Sequence, residues 1–397
     1  GNATIVNDDG INFANSTVRG DLTATATTGH ITDSGTLTIT GAAKFITTAA
    51  GSNIELDTSD NAFASEVTMQ AGNGSNVAFG NIAFVDSEAV KLHTSAGTNG
   101  DLFIDANTDG VAAVGGSLSI TATSGNITQS LPVTVGTTSS FTTSANNTTI
   151  TLSNTSNAFT GALTITTNDS SGTDSDATID GGTTALIIAA STIDGDLTVR
   201  SGNASGITDS GNVTVAGNLV ATTDANSGVI NMGTLRVDGT VALTTDGDGN
   251  ATVVNDTLLD FANSTVRGNL VATATTGNII DTGVLTISGT STFTTSQSND
   301  DITLGSVNVL TGAVALNTSG STGHAVVDNG TTALIIAASS VGGDLTLTSG
   351  AADGIIDSGN VTVTGNLIAT TDANSGVIDM GTLRVDGTVA LTTDGDG

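Results

Sequence analysis

The chain has no cysteine, tryptophan or tyrosine, a single proline (Pro132), and seven lysines and arginines in 397 residues. Without cysteine there is no disulfide framework and no thiolate chemistry, whether redox, catalytic or metal-binding. Without Trp or Tyr there is little to stack on a sugar ring, which counts against a carbohydrate-binding face. Glu, Lys, Gln and Arg are scarce, and no long run spaces apolar residues by three and four, so the sequence predicts little or no helix. No apolar run approaches the roughly twenty residues that span a bilayer. No signal peptide opens the chain. It starts in mid-phrase at Gly1, and is read as a window of something longer. Thirty-eight acidic residues against seven basic ones give a net charge of −31. Such a surface repels phosphate backbones and anionic headgroups, so no nucleic acid and no membrane insertion are expected.

What is present is repetition. Residues 268–295 read GNLVATATTGNIIDTGVLTISGTSTFTT. Leu270, Ala272 and Ala274 alternate with Val271, Thr273 and Thr275, the period of a strand with one buried face. Asn278, Asp281 and Gly283 punctuate the chain around Ile279 and Ile280, and Leu285 and Ile287 restart the alternation. Nearly the same phrase stands at residues 20–48, with weaker versions at 116–143, 195–223 and 343–371. The many Gly residues would suit disorder, but β-branched and Leu positions recur too regularly for a chain that buries nothing.

Two periods run through the chain. Strand openings align at Leu22, Phe45, Val67, Val90, Leu118, Phe141, Leu163, Leu197, Leu219, Val241, Leu270, Phe293, Val314, Leu345, Leu367 and Val389, mostly about 22 or 23 residues apart. After Val90, Leu163, Val241 and Val314 the gap lengthens to about 28 to 34 residues, and the added apolar segments, such as 185–189 and 333–337, read as expanded turns. At the longer period, residues 1–48 return at 249–296 and 182–249 return at 330–397. The chain is therefore read as one continuous unit, 1–397, built of long repeats 2–249 and 250–397, the second shorter by about four coils. Loss of whole coils is what a stack tolerates, because each coil touches only its neighbours.

A phrase of about 22–25 residues with short strands and Gly/Asn/Asp turns makes one coil of a solenoid. The predicted fold is all-β, a right-handed parallel β-helix of roughly sixteen coils. Backbone groups pair with the coils above and below around a narrow column of Leu, Ile, Val, Ala and Phe. Thr, Ser and Asn face outward, where stacked hydroxyls and amides form ladders. The reading requires that equivalent residues such as Leu345 and Leu367 lie directly over one another.

The phrases GNLVATATTGNIIDTGVLTISG and DLTVRSGNASGITDSGNVTVAGNL resemble the repeats of filamentous-haemagglutinin-type and autotransporter-type bacterial surface proteins. The resemblance spans essentially the whole chain. It implies a right-handed parallel β-helix, secretion to the cell surface, and adhesion or matrix roles.

Few residues suggest chemistry. Asp246, Asp248 and Asn250, repeated as Asp394 and Asp396, alternate with Gly and could offer oxygen ligands to Ca²⁺, although the closing Glu of an EF-hand is missing. No other cofactor is indicated. The Asp of the Ile-x-Asp-Ser/Thr-Gly turn (Asp33, Asp209, Asp281 and Asp357, with Asp379 in a variant and Gln129 and Asn231 as replacements) reads as local turn chemistry. An enzyme concentrates unusual residues in one place, with cations near a developing anion. Here the acidic residues recur and the arginines are scattered, so the chain reads as no enzyme. His30, His93 and His324 read as solvated turn residues, with Asn278 in the place of His30. Arg19 and Arg267 are expected to form exposed pairs with nearby Asp, each worth under ~1 kcal/mol.

The function expected is that of a structural extracellular rod, a filament, stalk or adhesin shaft on a bacterial surface. Its partner would be itself, through coil stacking or as one giant chain, with surface glycans or proteins of host or neighbouring cells as further candidates. A glycan-binding face, or a calcium-stabilised or ice-binding solenoid with Thr-x-Thr rows (Thr23 and Thr25, Thr273 and Thr275), is the alternative.

Overall fold

The computed structural model describes residues 1–72, 80–93, 101–104, 112–168, 170 and 174–395, with residues 93, 101–104, 112 and 113 described through their backbone alone. All secondary structure in them is strand. The fold is a parallel β-solenoid of about 16 turns with about 22 residues per coil. The chain divides into two compact units, Gly1–Ser201 and Gly202–Gly397.

A coil of the first unit starts with a five-residue strand and continues through two three-residue strands, giving three sides. Ala3–Asn7, Leu22–Ala26, Ala43–Thr47 and Val67–Ala71 stack on one side. Ile11–Phe13, Ile31–Asp33 and Ile54–Leu56 stack on the second. Ser16–Val18, Leu37–Ile39 and Ala62–Phe63 stack on the third. The alternation read from the sequence sets which side chains turn inward: Leu22, Ala24 and Ala26 are buried while Thr23 and Thr25 are half-exposed. Small residues lie beside large ones in register, Ala24 over Phe45 in the first unit and Ala272 over Phe293 in the second. Within the first column Phe13 and Phe45 meet edge to face at 6.1 Å, and Phe45 meets Phe63 at 6.2 Å. Rings at these separations add attraction beyond their burial.

The five-residue strands do not keep to one side. From Ile82–Asp86 onward they lie on the second side, Ile82 over Ile54, followed by Leu118–Ala122, Ser139–Thr143 and the slightly shorter Leu163–Thr166. They then return to the first side at Ala177–Asp180 and Leu197–Ser201. At that return two short strands, Leu186–Ile188 and Ser191–Ile193, share the length of one longer strand, with Leu163 paired to Ile188 and Thr166 to Thr192. The second unit repeats the manoeuvre. Val241 pairs with Phe261 and Thr244 with Thr265, splitting Thr240–Thr244 between two short strands. In reverse, Ile207–Asp209 and Val213–Val215 merge into Ile230–Val237, whose register slips between Met232 and Leu235, before Ala251–Asn255. Val314 then pairs with Ile336 and Asn317 with Ser340.

Leu345 does lie over Leu367 in an unbroken five-residue register. Three other expectations are corrected. The segments at 185–189 and 333–337 are not expanded turns: Leu186, Ile188, Leu334 and Ile336 are buried strand residues. Phe45, Phe141 and Phe293 do not open their strands but sit third in them, over Ala24, Ile120 and Ala272. Val90 stacks on Ile127, away from Leu118. For the phenylalanines the physical reason is parity: a shift of two residues leaves every side chain on its own face, so a hydrophobic pattern cannot detect it. For the other two it is that an inward–outward pattern does not record which side of the coil a strand lies on.

Candidate functional site

The Ile-x-Asp turns hold coils together, and their bonds are not local. Each carboxylate reaches the next coil, about two dozen residues on. Asp209 accepts the N–H groups of Gly233 at 2.9 Å and Thr234 at 2.6 Å, together with the Thr234 hydroxyl at 2.7 Å. Asp357 does the same with Gly381, Thr382 and the Thr382 hydroxyl. Asp281 takes Gly305, Ser306 and the Asn308 amide, and Gln129 takes the N–H of Asn154 and the Asn157 amide. Local environment then sets the acidity. Burial pushes the Asp281 carboxyl above its ordinary value, against the donors of Asn308, Ser306 and Gly305. At Asp357 burial also pulls upward, but the Thr382 and Gly381 donors outweigh it and hold the carboxyl low. Asp379 is exposed, and Asn231 is an exposed residue of Ile230–Val237.

A second bracing set was missed from the sequence. Asn61, Asn157, Asn255, Asn308 and Asn329 are buried. The Asn255 side-chain oxygen accepts the Val237 N–H at 2.8 Å, and its amide donates to the carbonyls of Val237 and Leu258. Asn329 accepts from Leu310 and donates to Leu310, Thr332 and Ala333. These amides replace backbone pairing where the chain turns a corner. The signal was available: position 255 has the inward parity of Ala251 and Val253, so a polar residue there had to be satisfied inside. Buried threonines at strand ends form a third set. Thr223 donates to the Gly228 carbonyl at 2.8 Å and Thr371 to that of Gly376 at 2.9 Å.

Asp246, Asp248 and Asn250 are exposed. Gly247 between them has φ +57, and a Cβ there would stand 2.2 Å from the Ser227 hydroxyl oxygen, so the alternation with Gly serves a left-handed turn. The Asn250 side-chain oxygen accepts the Asn269 N–H at 2.7 Å. Asp394 is exposed, and Asp396 lies outside the described residues. Among the described residues no three His, Asp or Glu side chains are grouped closely enough to hold a metal ion.

His30 and His324 are not simply solvated. Each ring nitrogen Nδ1 accepts a backbone N–H from the next coil, that of Asn53 at 2.9 Å and that of Asp344 at 2.8 Å. The side chain of His93 lies outside the described residues. Arg19 and Arg267 form no ion pair among the described residues. The arginines that do are Arg236 with Asp238 at 3.5 Å, Arg384 with Asp386 at 3.2 Å, and Arg200 with Asp180 at 3.8 Å. Arg236 lines a shallow open dent with Thr214, Gly233 and Asp256, formed where the strand register slips.

Comparison with curated proteins gives no match, and comparison with solved structures gives none either. Residues 1–70, 98–166 and 248–317, more than half of the chain, match a family described as repeats of unknown function. The first and third of these segments open the two long repeats. A chain made of such coils belongs, on that match, to the family of repeats of unknown function called DUF5649.

Proposed function

We propose that this repeat solenoid is a structural, non-catalytic segment of an extracellular bacterial surface protein, serving as a filament, stalk or adhesin shaft. The observation that supports this most directly is where the polar groups go. Carboxylates, amides, hydroxyls and imidazoles that could have formed a site are used coil against coil. Asp209, Asn255 and His324 each bond a backbone N–H of a neighbouring turn. The likeness of the repeats to filamentous-haemagglutinin-type and autotransporter-type proteins supports the surface location. The net charge of −31 keeps such segments apart from one another. The proposed partners are further coils of the same kind, with glycans or proteins of neighbouring surfaces reached by other parts of the assembly. Negative-stain images of the native material test this: long thin fibres are expected, and globular particles overturn it.

One observation favours the ice-binding alternative. Ser119 and Thr121, Ser140 and Thr142, and Thr164 and Thr166 stand in register on three successive strands as a two-column hydroxyl array. A thermal-hysteresis assay decides this reading. For calcium at Asp246 and Asp248, melting with and without EDTA decides, since an unchanged midpoint excludes a structural ion.

A further inference from the structure

We propose that His30 and His324 make two rungs of the coil stack open on mild acidification. The residue just before an inward-pointing strand forms a column of its own. In the second unit the Asn278 oxygen accepts the Asp301 N–H, Asp301 accepts that of His324, His324 that of Asp344, Asp344 that of Asn366, and Asn366 that of Thr388. In the first unit the sequence is His30 to Asn53, Asn53 to Asn81, and Asn81 to Ser117. Every rung needs an acceptor at one place. Asn and Asp supply an oxygen at any pH near neutrality, whereas His supplies one only while Nδ1 is bare and the ring proton is on Nε2.

Protonation places an N–H where the backbone N–H already points, donor against donor, and the rung is lost. Both rings are accessible to solvent protons, the His324 side chain being 39% exposed. The charged groups around the two rings differ. His324 faces Asp344 of the coil above, whose second oxygen is 3.8 Å from Nδ1, and Asp301 of the coil below. A protonated His324 therefore has a carboxylate to turn to. His30 has Asp9 beside it and Asp8 nearby on the coil below, while Glu55 of the coil above is engaged by the Asn53 amide.

Residue-resolved amide hydrogen exchange on the full chain at pH 7.5 and 5.5, expressed as protection relative to intrinsic rates, tests this. The Asn53 and Asp344 amides are each expected to lose about tenfold protection at the lower pH. Asn81 and Asn366, whose acceptors are Asn53 and Asp344, keep theirs. In His30→Asn, which installs the residue found at the equivalent Asn278, Asn53 stays protected at both pH values. Unchanged protection of Asn53 in the parent chain, or a fall that persists in His30→Asn, overturns the proposal.

Discussion

Asp86 and Asn255 end five-residue strands of the same kind, one in each unit, and both are buried at 2% and 0% exposure. Asn255 accepts the Val237 N–H at 2.8 Å and fills its amide hydrogens with two carbonyls and the Thr257 hydroxyl. Asp86 accepts from Phe63 at 3.3 Å and Glu88 at 3.4 Å, and ionised it has nothing to donate. Burial accordingly pushes its carboxyl up to about 6, against the opposing Phe63 and Glu88 donors. The same inward corner is fully satisfied by an amide and only half satisfied by a carboxylate. Shape alone does not qualify a residue for this column; it must both donate and accept.

Removing the amide should show the largest effect. Asn255→Ala leaves the Val237 N–H unpaired in the interior, takes one donor each from the Val237 and Leu258 carbonyls, and should cost about 3 kcal/mol. Denaturant melts followed by hydrogen exchange in that coil would show it, and a loss below about 1 kcal/mol would mean the corner relaxes. Next comes Asp86→Asn. A carboxyl raised from 3.8 to about 6 favours the fold in its protonated form. Its contribution is intact below the unfolded value near 3.8, declines as pH rises, and is gone above about 6. The substitution should therefore stabilise by about 2 kcal/mol at pH 8 and far less at pH 4. A gain that does not depend on pH would dissociate the effect from the charge.

Smaller and opposite in sign are two threonine exchanges. The buried Thr143 hydroxyl finds no partner, whereas Thr223 bonds the Gly228 carbonyl. Thr143→Val should be neutral or stabilising by up to about 1 kcal/mol, and Thr223→Val should cost about 1 kcal/mol. Matching signs in thermal melts would remove the distinction between the two coils. Smallest is Asn278→His, which converts one long repeat to the residue of the other. At pH 8 it should change stability by less than about 0.5 kcal/mol, since either side chain offers an acceptor for the next coil.

The coil was legible because alternation and period are local properties. Leu270, Ala272 and Ala274 announce an inward face wherever they occur, and the spacing of such phrases gives one lap. The side of the coil was not legible. Ile54 over Ile82 and Ile54 over another three-residue strand look alike in a pattern that records only inward and outward. The bracing residues were half legible: Asn255 had a readable parity, whereas the reach of Asp209 to Gly233 depends on where the next lap passes. That is also why the Ile-x-Asp carboxylates read as local turns and the histidines as solvent-facing.

By itself the sequence determined an all-β stack of about 22-residue laps with an apolar column, because burying every second side chain and pairing every backbone group leaves few other solutions. Tertiary structure decided which side carries the longer strands, which residues brace neighbouring coils, and which ring nitrogens and carboxylates serve as acceptors. Those choices rest on distances between laps, set by packing across the column, and no single lap contains that information.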